Sequence, residues 1–247
     1  MDMNYSVPIV ACILYGLFCY VGPLWMKNSK PFRLDFSLAI WNLLLAIFSA
    51  YCTIRTVPHL IHRILTVSFE ETICDPAHMA FGSGACGLAV ALFIISKIPE
   101  LVDTIFIILR KKPLIFLHWY HHLTVLIFCW NSYVTESGAG IYFVAMNSLV
   151  HAVMYFYYFL QAIKAMPKWF PSWIVTLLQI SQMIIGVFIV VSSLYFHVYG
   201  GEKYEPKKCH NEYSNLVSGS VIYASYLFLV LDFAFRRFVF GGKGKRE

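Results

Sequence analysis

The chain has 247 residues, 59% hydrophobic and 13% charged, with a mean hydropathy of +0.66, whereas a soluble domain carries about a quarter charged residues. The formal net charge of +6 is small and scattered between apolar runs, so it does not suggest nucleic acid as a partner. What remains is a polytopic, all-α integral membrane protein.

Seven apolar runs are long enough to be read as transmembrane helices. The first covers residues 7–26, with Pro8 tolerated in its first turn, and the N-terminus lacks a basic segment with a small-residue cleavage site, so it reads as mature chain. The second covers 35–57. Residues 58–79 read as an amphipathic, loop-like stretch holding Glu70, Glu71 and Asp75. The third span, 80–109, carries Lys97, Pro99, Glu100 and Asp103, and Pro99 is expected to bend it and free a carbonyl. The loop Arg110-Lys111-Lys112-Pro113 leads into the fourth, 114–133. A polar turn with Glu136, Gly138 and Gly140 precedes the fifth, 141–163. The sixth, 172–196, follows a short loop with Lys164 and Lys168. A polar stretch, 197–213, leads to the seventh, 214–235, and a basic tail, 236–247. Nothing in this order marks a second domain, so 1–247 reads as one unit.

An odd number of spans puts the termini on opposite sides. Most basic loop residues, among them Lys27, Arg33, Arg110, Lys111, Lys112, Lys164, Lys168 and the tail, fall on the C-terminal side, which the positive-inside rule makes cytosolic. Lysines three and five places from the end, Lys245 and Lys243, fit an endoplasmic-reticulum retrieval signal or ordinary basic flanking. Of the seven cysteines, five fall in spans and read as small core residues. Cys74 and Cys209 fall in the two long lumenal loops, where an oxidising compartment permits a bridge.

The fourth span opens with three histidines, His118, His121 and His122. At i, i+3 and i+4 of a helix, all three rings lie within roughly 100° of one another. Three imidazoles on one face of an apolar span are costly without partners and point to a site. Other spans carry matching polar stripes. Lys97, Glu100 and Thr104 share one side of the third span with Asp103 at its edge, and Lys97 can pair with Glu100 at i+3. The fifth carries Asn147, His151, Met154, Tyr155 and Tyr158, and the sixth Thr176, Gln179 and Gln182. Four such stripes facing inward make a polar chamber with a mouth lined by basic loops.

Four segments resemble the signature motifs of the ELO family of membrane-bound very-long-chain fatty acid elongases. They are Lys97-Ile-Pro-Glu100-Leu-Val-Asp103-Thr104, His118-Trp-Tyr-His121-His122, Asn147-Ser-Leu-Val-His151-Ala-Val-Met154-Tyr155-Phe-Tyr157-Tyr158 and Thr176-Leu-Leu-Gln179-Ile-Ser-Gln182. Pro113, where the polyunsaturated-type branch tends to carry Gln, resembles the branch acting on saturated and monounsaturated chains. The resemblance implies a seven-helix bundle enclosing an acyl tunnel in the endoplasmic-reticulum membrane. It also implies condensation of acyl-CoA with malonyl-CoA to 3-ketoacyl-CoA, CoA and CO2, with no cofactor beyond these substrates and with homo- or hetero-oligomers among elongation-cycle enzymes.

That chemistry needs a group to hold the acyl chain, a group to stabilise an enolate, and an anion cradle. A neutral imidazole is a competent nucleophile toward a thioester, and His121, central in its motif, is the candidate. His118 and His122 would set its tautomer or polarise the carbonyl, His151 would orient or stabilise the second step, and Asn147, Glu100 and Asp103 are further catalytic candidates. Lys97, Arg110, Lys111, Lys112, Lys164 and Lys168 are candidates for the CoA phosphates, and Tyr155, Tyr158, Gln179 and Gln182 for the chamber wall. Cys129 is a rival nucleophile about 10 Å deeper, without a nearby base on its own helix. A membrane di-iron oxygenase also uses HxxHH but needs about eight same-side histidines, and only His118, His121, His122 and His151 qualify here. A mononuclear metal enzyme and a non-enzymatic transporter stay open as alternatives.

Overall fold

The computed structural model describes residues 4–82, 84–167, 169–200 and 209–240. Every regular element among them is helical: α1 Ser6–Trp25, α2 Asp35–Thr66, α3 Phe69–Cys74, α4 Ala77–Ala80, α5 Ala85–Ser96, α6 Val102–Leu109, α7 Phe116–Val134, α8 Gly140–Ala162, α9 Trp173–Tyr199 and α10 Tyr213–Ala234. A 3₁₀ turn, Pro99–Leu101, joins α5 to α6, and a π-helical turn, Phe235–Phe240, extends α10.

Among the described residues five helices, α1, α2, α8, α9 and α10, are long and apolar enough to cross a membrane, so the chain is an all-α, multi-pass membrane protein. Their large apolar side chains face outward: Leu14, Leu17, Leu44, Ile47, Phe156, Phe188 and Phe228 are all exposed. In lipid that surface is solvated by acyl chains, so the packing between helices relies on van der Waals fit and interhelical hydrogen bonds. The helices close a ring, α2–α8–α9–α10–α7–α5/α6, with α5 returning to α2, and α1 packs outside against α6 and α7.

Two boundaries differ from the sequence reading. The second span does not stop at 57, because α2 runs through Pro58 to Thr66. A proline removes one helical N–H, and the last turns recover more than that in tertiary bonds. His59 Nε2 lies 2.9 Å from Ala80 O, and Arg63 donates to Met79 O and Glu71 O and pairs with Asp75 at 2.7 Å. The stretch that read as a loop is therefore helical for much of its length, with α3 started by a capping box of Ser68 and Glu71. The third span is not one helix. It breaks over Lys97–Leu101, where Pro99 lacks a donor and the backbone tightens into 3₁₀ geometry.

At one end of the bundle α3, α4 and the residues leading into α10 are tied together. Cys74 and Cys209 form a disulfide across 135 residues, His210 N donates to Cys74 O, and Asn211 Nδ2 donates to Ile73 O. At the opposite, basic end α6 and α8 stop at Lys111 and Lys164, both with positive φ. Lys112 N donates to Ile107 O and Ala165 N to Leu160 O, so each lysine occupies the left-handed position of a Schellman cap.

Candidate active site

Inside the ring lies a cavity of about 680 Å³ opening at the basic end. Local helix periodicity supplies its walls: Leu117, His118, His121 and His122 from α7, and Asn147, Val150, His151, Met154, Tyr155 and Tyr158 from α8. Asp103, Phe106 and Ile107 of α6, Gln179, Gln182 and Met183 of α9, Tyr226, Val230 and Phe233 of α10, and Leu38 and Asn42 of α2 add to them. Among the described residues no serine, threonine or cysteine lines it.

The four imidazoles are held differently. His118 Nε2 lies 2.9 Å from Thr104 Oγ1, which in turn lies 2.9 Å from the Tyr15 hydroxyl. His151 Nε2 lies 3.2 Å from Asn147 Nδ2. His121 and His122 have no side-chain hydrogen bond among the described residues, and of the two His121 is half-buried while His122 is buried. His118 and His122 therefore do not fix the tautomer of His121 through a hydrogen bond. The rings are neighbours only, with centroids 4.5 Å apart for His118–His122 and 5.3 Å for His121–His122. The backbone of His121 is pinned instead by Tyr226, whose hydroxyl donates to its carbonyl at 3.2 Å and meets Thr124 Oγ1 at 2.6 Å.

Behind His151 is a buried charged layer. Lys97, 1% exposed, reaches both oxygens of Glu100 at 2.8 and 3.0 Å and Asn147 Oδ1 at 3.2 Å. An ammonium can only donate, so it must face the Asn147 carbonyl oxygen and turn the amide NH₂ toward His151. His151 Nε2 then accepts, which leaves its ring proton on Nδ1, 3.9 Å from Glu100 Oε2. Neither Lys97 nor Glu100 is on the cavity wall. The sequence reading put Lys97 among the candidates for the CoA phosphates and Glu100 among the catalytic candidates; the structure places both behind the wall. Local i, i+3 pairing, a 4.1 Å approach to the Phe93 ring and the packing of α8 over α5 seal the pair away. Lys97 meets the wall through Asn147, and Glu100 lies 3.9 Å from His151 Nδ1.

Asp103 is on the wall with both oxygens occupied, accepting from Trp41 Nε1 at 2.6 Å and from the Tyr155 hydroxyl at 2.8 Å. Tyr155 sets its ring edge-on to His151, with centroids 5.3 Å apart. Gln179 Nε2 reaches Met154 Sδ at 3.4 Å, while Tyr158 and Gln182 line the cavity directly.

The basic candidates divide. Lys112 and Lys164 line the mouth, as does Arg110, which is paired to Asp35 at 2.6 Å. Lys111 is turned away, donating at 3.0 Å to the carbonyls of Lys27 and Ser29. Lys168 lies outside the described residues. Sequence reasoning missed Tyr15, Trp41 and Tyr226. Only Trp41, beside Asn42 in an apolar run, gave any polar signal, since a tyrosine in a span reads equally well as lipid-facing. Among the described residues no three His, Cys, Asp or Glu side chains are grouped as metal ligands would be.

The sequence profile of the ELO family, described as the GNS1/SUR4 family, matches residues 1–246. The chain is 40% identical over 242 residues to a Drosophila melanogaster protein named very long chain fatty acid elongase 6, covering 98% of this chain and 75% of that one. It is 38% identical over 240 residues to the Homo sapiens protein of the same name, covering 97% and 87%. It is 37% identical over 258 residues to fatty acid elongase 3 of Trypanosoma cruzi, covering 95% and 84%.

Proposed function

Because the chain belongs to the ELO family, we infer that it is the condensing enzyme of fatty acid elongation, an acyltransferase joining a long-chain acyl-CoA to malonyl-CoA. The observation that carries the mechanism is a cavity with a cation-flanked mouth and four imidazoles on its wall, with no serine, threonine or cysteine among the described residues that line it. In this reading the CoA phosphates sit against Lys112, Lys164 and Arg110, and the acyl group passes inward to the histidines.

A ring nitrogen of His121, the more exposed of the two unpartnered imidazoles, attacks the thioester carbonyl. The C–S bond breaks, CoA leaves as its thiolate, and an acyl-imidazole remains. Malonyl-CoA then enters, loses CO2, and its enolate carbon attacks the acyl carbonyl. The C–N bond to His121 breaks and 3-ketoacyl-CoA leaves. His151, its tautomer set by Asn147 and Lys97, presents an acceptor nitrogen to Asn147 and a ring N–H on the other side. That N–H is turned toward Glu100 behind the wall, so His151 shapes the wall beside the enolate and donates no hydrogen bond to it. The substrate class is saturated and monounsaturated acyl-CoA, on the strength of Pro113 in the histidine motif's approach. The reaction needs no resident cofactor.

The same reading counts seven crossings, taking the broken α5/α6 as one and α7 as another. Its C-terminus is cytosolic in the endoplasmic-reticulum membrane, on the strength of the basic loops at the mouth. Membranes given labelled malonyl-CoA and a ladder of acyl-CoAs should yield labelled 3-ketoacyl-CoA, and absence of that product would overturn the assignment. The covalent route is tested separately by intact-protein mass spectrometry after mixing with acyl-CoA alone. An acyl adduct with CoA release, lost in His121→Ala, supports it. No adduct and no release in active protein assigns His121 to general base instead.

A further inference from the structure

Buried polar groups are almost always paired, and most of those on the cavity wall obey that rule. Trp41 and Tyr155 occupy both oxygens of Asp103. Asn147 accepts from Lys97 and donates to His151. Gln179 reaches Met154, and Asn42 donates to the Leu38 carbonyl. Gln182 differs. It is 6% exposed and lines the cavity, yet its amide has no hydrogen-bond partner among the described residues. Its nitrogen and oxygen are not among the polar atoms sealed in the packing, so the space they face is the cavity itself. Contacts between α9 and α10 give its height. Helix α9 runs inward from the mouth and α10 outward, and a Cβ on Gly186 would meet the Tyr223 ring. One helical turn mouthward of that contact stand Gln182 on α9 and Tyr226 on α10. The Tyr226 ring lies 5.1 Å from that of His121, centroid to centroid, and its hydroxyl holds the His121 carbonyl. The amide therefore opens into the cavity at the depth of His121, from a helix separated from α7 by α10.

We propose that Gln182 is a catalytic residue whose Nε2–H donates to the acyl carbonyl oxygen as that oxygen gains negative charge. The His121 lone pair bonds to the carbonyl carbon, and the C=O π pair moves onto the oxygen, where the amide meets it. The pair returns as the C–S bond breaks, CoA leaves as its thiolate, and the thiolate takes the ring proton of the acyl-imidazolium. The acyl carbonyl then stays in place on His121. The same amide meets the second oxyanion, formed when the enolate carbon attacks. That pair returns as the C–N bond breaks, and the imidazolate takes a proton from water. A neutral carbonyl is a weak acceptor and an oxyanion a strong one, so the bond favours the transition state over bound substrate. An amide also suits a site crowded with imidazoles, because it donates at every working pH and exchanges no proton with them. The other unpaired donors stand elsewhere. His122 adjoins His121 on α7, with centroids 5.3 Å apart, on the side from which the attack comes. Tyr158 lies two turns nearer the mouth than His151.

The inference rests on the elongation reading, and the test separates the two. Turnover of saturated acyl-CoA with malonyl-CoA is measured for purified wild-type protein and for variants of matched shape. Gln182→Met keeps the length of the side chain but lacks the N–H. Its kcat should fall by about 10²- to 10³-fold, the scale of a lost oxyanion donor, with KM for either substrate within about threefold of wild type. Gln182→Glu adds a readout that a structural role would not move. A carboxyl donates only when protonated, so kcat relative to wild type should exceed that of Gln182→Met as pH falls to about 5, within the range of a buried carboxyl. Should Gln182→Met fail to accumulate, Gln182→Leu carries the same expectation. A methionine or leucine variant with kcat within about threefold of wild type overturns the proposal, as does a defect confined to KM. So does a Gln182→Glu enzyme no more active than those variants at any pH down to about 5. Wild-type protein that elongates no acyl-CoA of any length would instead overturn the elongation reading beneath it.

Discussion

Replacing Lys97 with methionine tests the buried layer behind His151. The ammonium is 1% exposed and Glu100 3% exposed, so no water stands ready to replace the lost partner. Removing one member of a buried ion pair leaves the other as an uncompensated charge, at about 3–5 kcal/mol. Asn147 Oδ1 also loses its donor, adding about 1 kcal/mol. Set against a typical net stability of about 5–15 kcal/mol, this is a large fraction. Denaturant unfolding of protein in detergent should show it directly. The double variant Lys97→Met/Glu100→Leu should recover most of the stability, because two apolar side chains in place of a buried pair are close to neutral. It should not recover turnover, since nothing then holds the Asn147 amide in the orientation that fixes His151. The expected loss is roughly 10- to 100-fold in kcat, the scale of a misplacement of about 1 Å at a reacting group. KM for both CoA substrates should stay close to wild type. A single variant as stable as wild type, or one whose whole defect is a raised KM with kcat intact, would refute the reasoning. The latter result would return Lys97 to phosphate binding.

Alanine at Lys112 or at Lys164 should raise KM for acyl-CoA several-fold with little change in kcat, and the double variant should lose most of the salt dependence of KM; kcat-only defects would count against the mouth assignment. Trp41→Phe removes the 2.6 Å donor to Asp103 and should lower stability by about 1–3 kcal/mol, read as a shift in denaturant midpoint, with a neutral effect counting against that bond. Non-reducing peptide mapping should recover Cys74 joined to Cys209, and Cys74→Ser/Cys209→Ser should cost about 2–5 kcal/mol, whereas alkylation of both thiols in unreduced native protein would show them free. Active purified protein should hold no stoichiometric iron or zinc and should tolerate chelators. Metal at one equivalent with chelator-sensitive turnover would reverse that expectation.

Local regularities were legible in the residues alone. Composition determined a multi-pass helical protein, because backbone groups in hydrocarbon must be satisfied within a helix or a closed barrel. Helical periodicity put His118, His121 and His122 on one face, and the structure lines one cavity with all three. The i, i+3 spacing of Lys97 and Glu100 allowed their pairing, and Pro99 marked the break in the third span. Contacts between distant segments were decided only by tertiary structure. Whether Lys97 faces a mouth or a sealed layer depends on how α8 lies over α5, which no property of the third span contains. The helix passes Pro58 because Ala80, Met79, Glu71 and Asp75 come back to meet His59 and Arg63. Tyr15, Trp41 and Tyr226 meet partners 62 to 105 residues away, and in the sequence the two tyrosines are indistinguishable from aromatics that face lipid.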